Sequence, residues 1–410
     1  MNSLSKLIFA LVAAASVSQA WAQVNSYSDG SDGAFNPSAG LTTIDLGLAP
    51  TTSWTSPGTG NGVYDPSKWA VVFKYSSVNI DAGKTVKFTN HPKTPPVVWL
   101  VQGDVTINGI VDLDGGYGPS NTGQFGIPGP GGFRGGSFAV GGNNVTAGFG
   151  PGGSSNVNGH STGEGGSYGT APTLGQAAGK GPVYGNAQIL PLIGGSGSKA
   201  RVHDGYGGFG GGGAILIVAS GNITINGTIR ANSYDIGGAW CGSGGAVRLV
   251  ANRVTGTGIV QAVASTGYGG NGRIRIERLD AGSTFSGGVS PTPSSIVLTG
   301  PEPVIWPTNT HPTLAVTSVD GVSVPADPAS NFNAPDLQIG PAATSVVRLE
   351  AANVPTDGSW RVQVRVVPRN GVDSFANATL VSGNQVASIW EATVTLPQGG
   401  AAVTARAYKL

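Results

Sequence analysis

The sequence predicts an all-β protein in two parts: stacked three-strand units carrying a long Gly-rich insert, then a small sandwich of alternating strands. Three observations carry that expectation. The chain holds 69 Gly and 27 Pro in 410 residues, far above ordinary Gly usage. Short alternating apolar segments recur at a fixed interval through its middle. Beyond about residue 310 the Gly content falls and Val-rich alternating segments take over.

Composition excludes several classes. Glycine costs about 1 kcal/mol per helix-interior site relative to Ala, which rules out a helical bundle. A disordered chain should be poor in apolar residues, whereas 39% of this one is apolar and only 10% is charged. Basic and acidic residues number 22 and 21, a net charge of +1 that leaves no footprint for nucleic acid or an anionic membrane.

The first 22 residues have the form of a secretory signal. Lys6 provides the basic start, residues 7–17 an apolar stretch, and Ala20-Trp21-Ala22 a small-x-small site, with cleavage expected after Ala22. The apolar run is shorter than the roughly 20 residues a membrane span needs, and no later segment could span a bilayer. A secreted or cell-surface location is therefore expected. Cys241 is the single cysteine, so internal disulfides are excluded and the core must be of real size. Cys241 reads as a small buried hydrophobe, with a reactive or intermolecular thiol as the alternative.

The repeats define the first part. Residues 97–116 read VVWLVQGDVTINGIVDLDGG, residues 214–233 AILIVASGNITINGTIRANS, and residues 246–265 AVRLVANRVTGTGIVQAVAS. A truncated copy, GRIRIERL, begins at Gly272, and a half-copy occupies 77–88. Alternation puts Val97, Trp99 and Val101 on one face, matched by Ile215, Ile217 and Ala219, by Val247, Leu249 and Ala251, and by Ile274 and Ile276. One copy buries about six apolar side chains at about 1.5–3 kcal/mol each. Ordering its roughly 30 residues costs about 1–2 kcal/mol each. A copy cannot fold alone, so neighbours must share a core. Coils stacked this way make a parallel β-helix over 70–290, behind an N-terminal extension or cap at 23–69; a flat meander or sandwich is the competing arrangement.

Residues 117–213 form a Gly-rich insert. Glycines at 123, 126, 129, 132 and 135 recur every third residue, the period of an extended polyproline-II segment. Its aromatics (among them Tyr117, Phe125, Phe149, Tyr168 and Phe209) either anchor Gly-rich loops or form a glycan-stacking surface. The insert either loops out or adds a coil. If it loops out, Asp112 and Arg230, which share a position counted from Gly109 and Gly227, become neighbours in the stack. A Pro-rich linker is expected at 291–309. Segments 314–319, 346–351, 360–367, 389–396 and 403–408 read as strands of an immunoglobulin-like sandwich over 310–410, without the paired cysteines of antibody domains.

Several stretches carry a resemblance: SDGSDGAFNP from Ser28, GNGVYDPSKWAVVFKYSSVNI from Gly60, VVWLVQGDVTING from Val97, GGGGAILIVA from Gly210, and THPTLAVTSVDGVSVPADP from Thr310. Together they resemble a group of secreted, Gly-rich, adhesin-like bacterial proteins that carry a C-terminal module. The resemblance implies a surface location and a β-helical fold, and it transfers no catalytic residue.

Chemistry is sparse. Asp112 and Asp114 alternate on one strand, expected to face solvent, and are the candidate metal ligands; Ca²⁺ is the cation that oxygen ligands of this kind would take. His91, His160, His203 and His311 have no metal-ligand spacing, and His203-Asp204 point to opposite faces of a strand. Asn144, Asn222, Asn226 and Asn377 lie in Asn-x-Ser/Thr sequons and read as turn or ladder residues. No catalytic or cofactor-binding residue is singled out. The expectation is a non-catalytic structural or adhesive surface protein whose partner is an extracellular glycan or cell-surface component. The alternatives are a β-helix polysaccharide lyase or hydrolase, or a carbohydrate-binding protein.

Overall fold

The computed structural model describes residues 22–118, 124–138, 145–156, 164–175, 177–200, 207–233, 240–264, 267–329, 334–340, 342, 344–369 and 371–410. The signal-like segment 1–21 lies outside them, as do Gly123, Asn144, His160, His203, Asp204, Tyr206 and Asp235. The described chain is all β, with large parallel sheets; it contains no α-helix, only the 3-10 turns Leu46–Leu48 and Ala177–Gly179.

The strands follow the repeats. β1 (Gly33–Phe35), β2 (Leu41–Asp45), β3 (Val63–Asp65), β4 (Ala70–Ile80) and β5 (Thr85–Thr89) open the stack. Three full units follow: β6 (Val97–Val101), β7 (Val105–Ile107) and β8 (Ile110–Asp112); β9 (Ala214–Ala219), β10 (Ile223–Ile225) and β11 (Thr228–Arg230); β12 (Ala246–Ala251), β13 (Val254–Thr255) and β14 (Ile259–Gln261). β15 (Arg273–Arg278), β16 (Gly288–Ser290) and β17 (Ser294–Val297) close it. First and second strands join one 11-stranded sheet, while third strands make a six-stranded sheet in the order β16-β14-β11-β8-β5-β2. All contacts between successive units are parallel and in register: Trp99 pairs with Ile217, Ile217 with Leu249, and Leu249 with Ile276.

The half-copy at 77–88 is a genuine level of the stack. β4 runs long enough to serve as both first and second strand, pairing with β6 at Val71–Tyr75 and with β7 at Val78–Ile80. The offset between the second and third units drops from 32 to 31 before the second strand, since Ile215 pairs with Val247 but Ile223 with Val254. The missing residue is therefore in the first turn.

The interior face of the stack is a single apolar column in which Phe73, Trp99, Ile217 and Leu249 are fully buried. The outer face of the 11-stranded sheet is also buried. Val72, Val98, Leu100, Leu216 and Val218 pack beneath Val24, Ile189, Leu192 and Ile305. Alternate positions are therefore covered too: Arg248 points outward from the sheet yet is only 2% exposed. Its guanidinium bonds Glu277 at 2.8 Å and the Val304 carbonyl at 2.8 Å under the covering segment. The Pro-rich stretch 291–309 is correspondingly packed, supplying β17 and the buried Ile305.

The insert adds no level to the stack. β8 pairs directly with β11, and β6 with β9, across the 97 residues it contains. Its described segments instead form a glycine bundle beside the stack, and residues 194–200 display its rule. The amides of Gly195 and Ser198 donate to Gly212 and Phe209 (2.8 and 2.9 Å), and those of Gly197 and Ala200 to Phe149 and Thr146 (3.0 and 3.3 Å). Lys199 donates to Glu164 at 3.2 Å, while Phe133 and Gly136 donate into the carbonyls of Gly195 and Ser198 at 2.9 Å. Donors thus change neighbour with a period of three, as three-residue-per-turn extended chain permits and a two-sided β-strand does not. The approach is so close that a Cβ on Gly197 would collide with the Arg134 carbonyl. The turns of the stack join in, with Gly212 donating to Ser243 and Gly245 to Ala231.

Beyond residue 310 come β18 (Thr313–Val319), β19 (Val322–Ser323), β20 (Ser345–Ala352), β21 (Trp360–Pro368), β22 (Ser374–Asn377), β23 (Thr379–Gly383), β24 (Ser388–Val394) and β25 (Ala401–Lys409). They form antiparallel sheets in the orders β19-β18-β20-β24-β23 and β22-β21-β25, sharing one core that includes Val347, Leu349, Val364 and Trp390. This unit docks on the glycine bundle. Val367 packs with Ala147 and Phe149. Buried Arg365 bonds Asp373 at 2.8 Å and donates to the carbonyls of Gly153 and Ser154 at 3.2 and 3.1 Å. Asp373 in turn accepts from Ser155 and from the Asn156 amide at 2.7 Å.

Candidate functional site: the Asp112–Asp114 cluster

β8 and its continuation bring Asp112 and Asp114 to the same side of the third-strand sheet, as alternation requires. Asp112 does not face solvent, and Asp114 is only partly exposed. Asp112 is 7% exposed, because the stack places Lys87 on one side of it and Arg230 on the other. Lys87 Nζ lies 3.1 Å and Arg230 Nη2 2.8 Å from Asp112 Oδ2. Arg230 Nε also sits 3.1 Å from Asp114 Oδ2, off the hydrogen-bonding line. The Asp114 amide donates to Asp112 Oδ1 at 3.1 Å, and Asp114 Oδ1 accepts from the Asn232 amide at 2.6 Å.

Environment separates the two carboxyls. Burial pushes Asp112 upward, but hydrogen bonds from Arg230, the Asp114 amide and Lys87, with the charge of Arg230, hold it below the usual carboxylate range. Asp114 is pushed up to about 6, by burial first and then by the like charge of Asp112, against the opposing Asn232 amide and Arg230. Arg230 is raised by its bond to Asp112. A Ca²⁺ ion would need these oxygens, and two side-chain cations already occupy Asp112. Among the described residues no three His, Cys, Asp or Glu side chains converge as metal ligands.

Of the other described acidic residues of the stack, Asp81 is exposed and accepts from the Asn79 side chain at 3.0 Å, and the rest hold backbone or cations. Asp104 accepts from the Asn222 amide at 2.7 Å, and Glu277 binds Arg248 and Arg275 at 2.8 and 2.7 Å. Asp280 caps Gly282 and pairs with Arg253. His91 stacks on Tyr64 with ring centroids 4.2 Å apart, and burial lowers its pKa. His311 accepts from the Thr308 amide at 3.1 Å. Asn226 donates to Asn108 at 3.0 Å, a ladder contact between equivalent turns.

Cys241 is fully buried against Phe209. Among the insert's aromatics, Phe138, Phe149, Tyr168 and Phe209 are buried, whereas Tyr117 and Phe125 are exposed. Arg134 lies between Phe125 and Phe149, 4.5 and 3.9 Å from their centroids. These rings mainly anchor the bundle.

Sequence reasoning missed a constellation on the outer face of the three-stranded sheet, in which Arg361, Phe375 and Asn377 are exposed and Gln363, Arg406 and Tyr408 partly buried. Its only sequence signal was alternation, with Val362 and Val364 inward and Arg361 and Gln363 outward. Comparison of the chain with family models, with curated proteins and with solved structures finds no match. Among the described residues, no helix is long and apolar enough to cross a membrane.

Proposed function

We propose that this chain is a secreted or cell-surface structural and adhesive protein, non-catalytic, whose partner is an extracellular glycan or cell-surface component. In this reading residues 1–22 are a cleaved signal, the stacked units are a parallel β-helix, and the terminal sheets are an immunoglobulin-like module of the adhesin-like kind its sequence resembles. The observation that carries the reading is how the acidic groups of the stack are engaged. Glycoside hydrolysis needs two carboxylates facing one cleft. Asp104, Asp112, Asp114, Glu277 and Asp280 instead hold backbone amides and guanidinium or ammonium groups. The interlocked glycine bundle supports the same reading, since it contacts both the stack and the terminal sheets.

The test pairs cell fractionation with a glycan array and a polysaccharide-degradation screen. Export and polymer binding without product release are expected. Release of new reducing or unsaturated ends from any polymer would move the protein to the alternative, a polysaccharide lyase or hydrolase.

A further inference from the structure

We propose that the outer face of the three-stranded sheet is a binding platform for an acidic polysaccharide, a chain of uronate or sulfated sugars; this rests on the adhesive reading and names its ligand class. The face follows from register. Arg361 stands opposite Tyr408, Gln363 between Asn377 and Arg406, and Arg365 beside Phe375. The alternate residues Val362, Val364 and Val366 fill the core behind; on the opposite face the glycine bundle covers the end at Arg365 and Val367, leaving Arg361, Gln363, Phe375, Asn377, Arg406 and Tyr408 on a strip three strands, about 10 Å, wide.

The central row is pre-organised. Gln363 Nε2 donates to Asn377 Oδ1 at 3.0 Å, and Gln363 Oε1 accepts from Arg406 Nε and Nη2 at 3.1 and 2.6 Å. Arg406 is further held 5.0 Å from the Tyr408 ring centroid and 5.6 Å from that of Phe375. Those contacts fix the guanidinium plane while leaving N–H donors of Arg406 for a ligand.

Charge identifies the ligand. Arg365 is neutralised by Asp373. The ion pairs of the described residues include neither Arg361 nor Arg406. Two guanidinium groups without a carboxylate suit bidentate binding of carboxylate or sulfate. Phe375, 42% exposed, and the partly buried Tyr408 offer ring faces for the C–H faces of sugars, and the amides suit hydroxyls. A nucleic acid would require a longer basic track than two arginines, and an anionic membrane a cluster of several basic residues.

The test is affinity electrophoresis of the full chain in gels containing polygalacturonate or neutral dextran, with sedimentation on phosphatidylglycerol vesicles as a third arm. Wild-type protein should be retarded by polygalacturonate alone, with retardation falling as salt rises. The R361Q/R406Q variant should weaken binding about tenfold or more, and Tyr408→Ala about threefold or more. R253Q, which alters an exposed arginine on the stack, should bind as wild type. Circular dichroism and melting temperature establish that each variant is folded, and Tyr408→Ala keeps the test decisive if the double variant is not. Unchanged binding by folded R361Q/R406Q, equal retardation in dextran, preference for the vesicles, or no retardation of wild type would each overturn the platform. None of these touches the non-catalytic reading, which falls only if the polymer is cleaved.

Discussion

Arg230 donates to Asp112 across 2.8 Å although 118 residues separate them in the chain. They occupy one column of the third-strand sheet, Lys87–Asp112–Arg230–Gln261, built from four successive levels. The contact requires that everything between Gly116 and Ala214 leave the stack. It therefore fixes both the register of the parallel units and the position of the glycine bundle beside them.

Removing either partner tests that register. Asp112 is almost fully covered and Arg230 about one-third exposed, so the pair should contribute more than a fully exposed one. A double-mutant cycle with Asp112→Ala and Arg230→Ala should give a coupling of about 1 kcal/mol, reduced but not abolished at 1 M salt. Zero coupling in urea denaturation would mean that the two levels do not stack directly.

Asp114 should make stability depend on pH. Its folded pKa of about 6 lies above the ordinary aspartate value of 3.8, so between these values the folded chain holds a proton that the unfolded chain releases. Its contribution is present below the unfolded value and lost as pH rises through about 6. Asp112 works oppositely, in a lower window, since its folded pKa is depressed. Asp114→Asn, which keeps the acceptor for Asn232, should be about 1 kcal/mol more stable than wild type at pH 7.5. The gain should vanish near pH 4; a constant difference across this range would show that Asp114 does not titrate as described.

Trp99 sits at the centre of the interior column, with Phe35, Tyr75 and Phe88 ring centroids 5.8, 5.9 and 6.3 Å away. Trp99→Ala should cost about 3–5 kcal/mol in chemical denaturation, because rigid coils above and below limit collapse into the cavity. A loss under about 1 kcal/mol would contradict the register.

The bundle should be intolerant of a single methyl group. Gly197→Ala would drive its Cβ into the Arg134 carbonyl, whereas nothing lies within 4 Å of a Cβ at Gly40. Gly197→Ala is expected to cost about 3 kcal/mol or more, and Gly40→Ala less than about 0.5 kcal/mol. Equal melting temperatures for the two variants would refute the close-packed bundle.

The docked C-terminal unit depends on a buried ion pair. Asp373→Ala leaves Arg365 without its carboxylate in a site where both side chains are nearly covered. The expected loss is about 3–5 kcal/mol, read as new protease cleavage between the bundle and the terminal sheets. Unaltered protection would show that the apolar contact of Val367 with Phe149 suffices.

The sequence by itself determined what is local and periodic. Alternation identified the inward column of Trp99, Ile217, Leu249 and Ile276, since a strand has only two faces and one must be apolar. Equal spacing from a shared glycine put Asp112 and Arg230 at the same position of their units, while only the structure, by setting the insert beside the stack, made them neighbours. Five terminal strands were legible, while the short β19, β22 and β23 were not, being too brief or too exposed to stand out. Tertiary structure decided what covers each outward face. Arg248 and Asp112 are outward by alternation yet buried, because Ile305 and its neighbours, or a stacked cation, arrive from distant parts of the chain. It also decided that a glycine-rich stretch with no strand pattern would pack at all. Chain without side chains carries no apolar periodicity to read, and its order comes from backbone hydrogen bonds to several neighbours at once, which exist only after those neighbours are in place.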